Sequence, residues 1–151
     1  MLSGWTRYKP ITVPAAYITG DMTDFPLLVT MTSDAAIGAR ALSTGYDIRF
    51  TLDDDTPLYY QRESFSVTGG AATGKFWVKV PSLSSGVAKT LRCYYGNSGA
   101  SDGNDAAGNV WNANCLCRYG FGDGTTLSLS DSTANGNTLT NTAAIAAPGV
   151  V

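Results

Sequence analysis

The run from Phe76 to Asn97, FWVKVPSLSSGVAKTLRCYYGN, constrains the fold more than any other part of the chain. Phe76, Val78 and Val80 alternate with Trp77 and Lys79, and Leu91, Cys93 and Tyr95 alternate with Arg92 and Tyr94. A two-residue period places alternate side chains on opposite faces of a β-strand, so each half reads as a half-buried strand. Pro81 is expected to end the first ladder, because proline cannot donate to it. The seven residues Ser82 to Ala88 then make either a long hairpin loop or a crossover between two sheets. Trp77, Lys79, Arg92 and Tyr94 form the expected outward face.

The same period recurs elsewhere. Trp5 to Val13 contains Pro10 and predicts an edge or bulged strand. Phe25, Leu27, Val29 and Met31 share a face of another strand. Thr32 to Ala41 reads as a loop or one helical turn. Tyr46, Ile48, Phe50 and Leu52 point inward in the next strand, with Asp47, Arg49 and Thr51 outward, and Leu58 to Val67 resumes the pattern. Gly69 to Gly74 reads as a flexible link. No helical period of any length appears, so the class is all-β, an antiparallel β-sandwich of jelly-roll type.

Composition changes after Asn97, where small and polar residues dominate. The expected division is a sandwich domain over residues 1–99, followed by a linker and an extended C-terminal arm over 100–151. A Gly, Ser, Thr and Asn-rich segment has little core of its own and needs a neighbour to hold it. Thr126 to Leu129 and Thr138 to Ala144 are candidate strands to add to an exposed sheet edge of another subunit.

The chain contains no histidine, which excludes Ser-His-Asp and Cys-His catalysis and any imidazole-bound zinc. Cys115-Leu116-Cys117 lacks zinc-knuckle spacing and a second ligand pair, and Cys93 sits at an inward strand position. Asp53-Asp54-Asp55 reads as a hairpin turn; a calcium loop would add a glycine and a distant glutamate at set spacing. A glycosidase needs two carboxylates flanking a cleft, and Asp47, Glu63 and the aspartates at 53–55 are the plausible sources. Glu63 is the sole glutamate. No catalytic residue, metal ligand or cofactor site is assigned.

A net charge of -2, with ten Lys and Arg scattered along the chain, gives no basic stripe for nucleic acid. No apolar run has the length of a membrane span, and MLSGWTRYKPITV has no apolar signal core, so neither a membrane partner nor export by its own signal is expected.

The segments WTRYKPITV, DFPLLV, GYDIRFT, FWVKVPSL and YYGN, in register over residues 5–99, resemble the domain of unknown function numbered 2341. The resemblance implies a β-sandwich without established catalytic residues, from a family found in bacterial and archaeal surface proteins and in phage structural proteins. Val110-Trp111, the run Tyr119 to Gly124, and Asp131 to Asn137 resemble the opening of a concanavalin-A-like or laminin-G-like lectin sandwich. That pattern stops short of the further strands a complete lectin domain requires.

The resulting expectation is a non-enzymatic structural or accessory protein of a virion, a bacteriophage capsid decoration or tail component. Its partners would be other virion subunits or copies of itself. The alternative is a carbohydrate-binding module or adhesin at the cell surface, recognising host-surface glycan. Candidate interaction residues are Trp5, Tyr59, Tyr60, Trp77, Lys79, Arg92 and Tyr94, since exposed rings stack on sugars and charged tips pair across interfaces.

Overall fold

The structure is a computed structural model, and it describes residues 1–105, 108–121 and 127–145. Six strands are joined in chain order: β1 Arg7–Val13, β2 Met22–Asp34, β3 Arg49–Leu52, β4 Tyr60–Thr68, β5 Ala71–Leu83 and β6 Lys89–Tyr95. One helical turn, α1 Ala35–Gly38, follows β2, with the Asp34 carboxylate accepting the Ile37 N–H at its start. The strands form two antiparallel three-stranded sheets, ordered β1-β6-β3 and β2-β5-β4, which face each other as a β-sandwich.

The Phe76 to Asn97 run therefore supplies the middle strand of both sheets. Its loop is a crossover and not a hairpin, because β5 and β6 belong to different sheets. Phe76, Val78 and Val80 from one sheet join Phe50, Leu91 and Cys93 from the other and Ile48 just before β3 in one core, all fully or nearly fully buried. Rings fill the centre: Phe50 lies 5.3 Å from Phe76 and 5.4 Å from Tyr60, centroid to centroid. Each such side chain contributes roughly 1.5–3 kcal/mol on leaving water, so this cluster accounts for much of the fold's driving force.

Pro81 does not end its strand, which continues to Leu83. The Lys79 N–H donates to the Tyr59 carbonyl on the β4 side, 2.9 Å. Alternate residues share a side, so the N–H that Pro81 lacks faces the same way, past the end of β4. The strand thus loses no ladder bond there. Gly69-Gly70 is a two-residue hairpin turn, with φ of +59° and +77°, linking Thr68 to Ala71. Both values suit glycine and the primed turns that match strand twist. Ala71 to Gly74 is accordingly the start of β5 and not a flexible link.

The edge-strand reading of residues 5 to 13 is matched by β1, which pairs only with β6 and carries Pro10. The strand expected over Tyr46 to Leu52 shortens to Arg49–Leu52, and its inside-outside assignment changes at three positions. Tyr46 is exposed, while Asp47 and Thr51 are fully buried. Tyr46 and Asp47 precede β3, in a stretch that turns at Gly45. Strand alternation does not apply there.

Among the described residues beyond Tyr95 there is no helix or strand. The segment is nonetheless held closely by its own chain. The Asp105 N–H donates to the Tyr60 carbonyl at 2.8 Å, the Arg62 N–H donates to Asn104 Oδ1 at 2.5 Å, and Arg49 Nη2 donates to the Ser101 carbonyl at 2.7 Å. Residues 101–105 thereby close the side of the sandwich where β3 and β4 lie. Leu139 N donates to the Leu129 carbonyl at 3.0 Å, so part of the candidate strand from Thr138 to Ala144 pairs within the chain. Thr126, at the start of the other candidate strand, lies outside the described residues, as do Gly122 to Gly124 of the lectin-like motif.

Candidate functional site

The seven sequence-selected residues lie in several separate places. Tyr60 is 2% exposed, and its hydroxyl donates to the Ile48 carbonyl at 2.7 Å. Tyr94 is 0% exposed; its ring lies 5.3 Å from that of Tyr8 and its hydroxyl donates to Asp55. Neither ring is available to an outside partner, which corrects their selection as surface aromatics. Alternation assigned Tyr94 correctly to the outer face of its sheet, but Tyr8, Arg92 and Asp55 close over it. Tyr59, at 58% exposure, is the freely exposed aromatic of the set.

Arg92 on the same face pairs with Asp55 at 2.6 Å, and its guanidinium lies 4.8 Å from the Tyr8 ring centroid. Asp55 is held in the turn by an N–H bond to the Leu52 carbonyl and has φ of +71°. The Met1 amino group, the Tyr94 hydroxyl and the Arg92 guanidinium keep its carboxyl well below the usual carboxylate range. The Asp-rich tip is thus a turn, with Asp54 Oδ1 accepting the Thr56 N–H at 2.9 Å. Among the described residues no three His, Cys, Asp or Glu side chains converge as a metal site.

Trp5 donates from Nε1 to the Asp47 carbonyl at 2.7 Å, with Arg49 stacked 5.1 Å above its ring. The Asp47 carboxylate accepts from Leu42 N at 2.9 Å and Gly96 N at 2.7 Å. It is a buried brace between two loops.

Trp77 and Lys79 lie on the outer face of β5. Lys79 pairs with Asp24 at 3.4 Å. Trp77 is covered by the chain's own C-terminal segment: its ring is 5.3 Å from Trp111, and Arg118 lies 5.7 Å from the Trp77 centroid and 5.4 Å from that of Trp111. Glu63 on β4 accepts the Trp77 Nε1 proton at 2.7 Å and pairs with Arg118. Gln61 accepts from Trp111 Nε1 at 3.3 Å. The Trp111 and Arg118 contributions were not selected from the sequence. The available signals were a lone tryptophan in a polar stretch and the only cation after Arg92.

Two carboxylates fasten this segment. Asp102 forms a two-point pair with Arg62, at 3.0 and 2.8 Å, and that hydrogen bonding lowers its carboxyl. Asp131 accepts from Arg118 N, Thr133 N and Asn137 N, each at 2.9 Å, and from the Thr133 hydroxyl at 2.8 Å. Loss of hydration works against the charge, but these donors outweigh it and hold the carboxyl at about 2. A lowered folded-state value stabilises the fold above the unfolded value and is lost as pH falls through the folded one. Acid titration from pH 3.8 toward about 2 is therefore expected to release the segment and shift tryptophan emission to the red. Asp131→Asn, which has no carboxyl to titrate, should loosen the segment already at neutral pH and remove that transition; an unchanged profile would show that Asp131 does not hold the segment.

Cys93 is buried, and burial pushes its thiol far up, consistent with the small-hydrophobe reading. Cys115 is partly buried and Cys117 exposed; all three are free thiols.

Two of the surface clefts adjoin these residues. One, of about 430 Å³, opens between β1 and β2 and is mainly apolar. The other, of about 190 Å³, lies between β4 and the C-terminal segment and is polar.

Comparison with protein families gives a match to the domain of unknown function DUF2341 over residues 44–134, more than half of the chain. The chain belongs to the DUF2341 family. The DUF2341 match runs from the turn before β3, through both middle strands, to the segment bearing Trp111, Arg118 and Asp131. It therefore takes in the Trp77 contact from both sides. No curated protein and no solved structure matches the chain.

Proposed function

We propose that this DUF2341 chain is a non-enzymatic structural or accessory module of a larger assembly. A virus particle is the setting we favour, with the chain as a bacteriophage capsid decoration or tail component that binds neighbouring subunits or further copies of itself. One observation carries the reading. After the last strand, Leu116 is 72% exposed and Ile145 87%, with Phe121 and Leu139 also open. Large apolar side chains left open along one segment are suited to contact with another protein. The carboxylates that a hydrolase would use are engaged instead: Glu63 with Arg118 and Trp77, Asp47 with backbone N–H groups, Asp55 with Arg92.

Mass measurement of the purified chain, alone and mixed with candidate particles, tests this. Association is expected, and Leu116→Ser with Ile145→Ser is expected to weaken it by about tenfold, equivalent to roughly 1.4 kcal/mol. A chain that stays monomeric and binds no particle at any concentration would contradict the proposal.

A second reading, glycan binding, is favoured by the polar cleft. Gln61, Arg62, Glu63, Asn104 and Arg118 offer hydrogen-bonding groups beside the Phe121 ring. The lectin-like pattern of residues 110–137 points the same way. A glycan array would separate the two readings: specific binding lost in Phe121→Ala supports this one, and an array without hits removes it.

A further inference from the structure

The two open sides of the sandwich are finished differently. Residues 101–105 close the side at β3 and β4, whereas β1 and β2 are both unpaired edges with the larger cleft between them. Its walls are the inner faces of those edges, with Ile11 and Val13 from β1, Leu27, Val29 and Met31 from β2, and Ile37 from α1. At about 430 Å³ it falls in the size range of small-molecule sites, which are apolar clefts with a few placed polar groups.

Lys9 is the cation lining the cleft among the described residues, and its side chain is half exposed. It donates to Asp34 Oδ2, while Asp34 Oδ1 is taken by the Ile37 N–H. An ammonium has three donors, so two remain for a second acceptor. The carboxylate in turn already has a partner at each oxygen. The site therefore presents an apolar trough with spare donors for an anion at one end. Pro10 and Pro26 interrupt the N–H rows of the two flanking edges, which disfavours an added strand as occupant.

We infer that this cleft binds a small amphiphile, a single alkyl chain carrying a carboxylate. The chain lies between the β1 and β2 walls, and the carboxylate joins Lys9 beside Asp34. This site shares no residue with the exposed apolar side chains of the C-terminal segment.

The test is calorimetric titration of the full chain with straight-chain carboxylates of increasing length and with the matching neutral alcohols, all below their micelle-forming concentrations. One-to-one binding is expected, tightening about fourfold per methylene until the cleft is full and then levelling. Lys9→Met should weaken the carboxylates about two- to fivefold, as expected for a part-exposed ion pair, and leave the alcohols unchanged. Leu27→Trp fills the trough and should weaken both series at least about tenfold, about two methylenes' worth of burial. If that variant fails to fold, methyl NMR shifts in the unmodified protein decide, with changes expected at Ile11, Val13, Leu27 and Val29. Absence of saturable binding would overturn the inference. So would shifts centred on Leu116 and Ile145, or a dimer that Leu27→Trp dissociates, since a second copy would then fill the cleft.

Discussion

Phe76→Ala is expected to cost about 3–5 kcal/mol of unfolding free energy, a large share of the roughly 5–15 kcal/mol that holds a domain of this kind. Phe76 is fully buried and its ring centroid lies 5.3 Å from Phe50, 6.1 Å from Tyr60 and 6.0 Å from Phe65. These neighbours come from β3 and β4, so the cavity opens where the two sheets meet. Urea unfolding measures the loss as a lower midpoint at unchanged slope. Lys75→Ala, one residue away on the exposed face, is expected to stay within about 0.5 kcal/mol. A Phe76→Ala loss below about 1 kcal/mol would mean that β5 does not pass through the centre of the core.

Asp47→Ala carries the second large effect. It leaves the part-buried N–H groups of Leu42 and Gly96 without their acceptor, and each such loss costs about 1–3 kcal/mol. The expected total is roughly 2–5 kcal/mol, visible as a fall of several degrees or more in Tm. Asp47→Asn keeps one acceptor oxygen and should lose less. This ranking belongs to a brace; a carboxylate serving a reaction would instead tolerate both changes in stability. Equal Tm for wild type and Asp47→Ala would remove the brace.

The strands were legible because alternation reports which face a residue occupies. Phe76, Val78, Val80, Leu91 and Cys93 are all buried as their spacing implies. Alternation does not report what covers a face. Tyr94 is outward on β6 yet fully buried beneath its neighbours, and Trp77 is outward on β5 yet packed under Trp111. Tyr59-Tyr60 reads as one aromatic cluster, but Tyr60 opens β4 on its inner face while Tyr59, just before the strand, is exposed. Pro81 failed as a terminator because a proline breaks a ladder only where a partner needs its N–H. Asp47 was assigned as an outward strand residue, although β3 begins two residues later. The Lys9 and Asp34 pair joins positions twenty-five residues apart across the cleft mouth, a separation with no local sequence signature.

The segment beyond residue 100 was the least legible part. Its polar composition does not signal that it has a core to lie on. The anchors are side chains spaced irregularly along a segment without regular secondary structure: Asp102 to Arg62, Trp111 to Trp77, Arg118 to Glu63, and Asp131 to the backbone of Arg118. No periodic pattern encodes them.

The central claim is that the outer face of β5 is an internal interface, closed by the C-terminal part of the DUF2341 region and not left free for another subunit. A double-mutant cycle on Trp77 and Trp111, each replaced by alanine singly and together, tests it most directly by urea unfolding. A coupling energy of about 0.5–1.5 kcal/mol is expected for two packed rings. Strictly additive losses would contradict the claim and return Trp77 to the open surface.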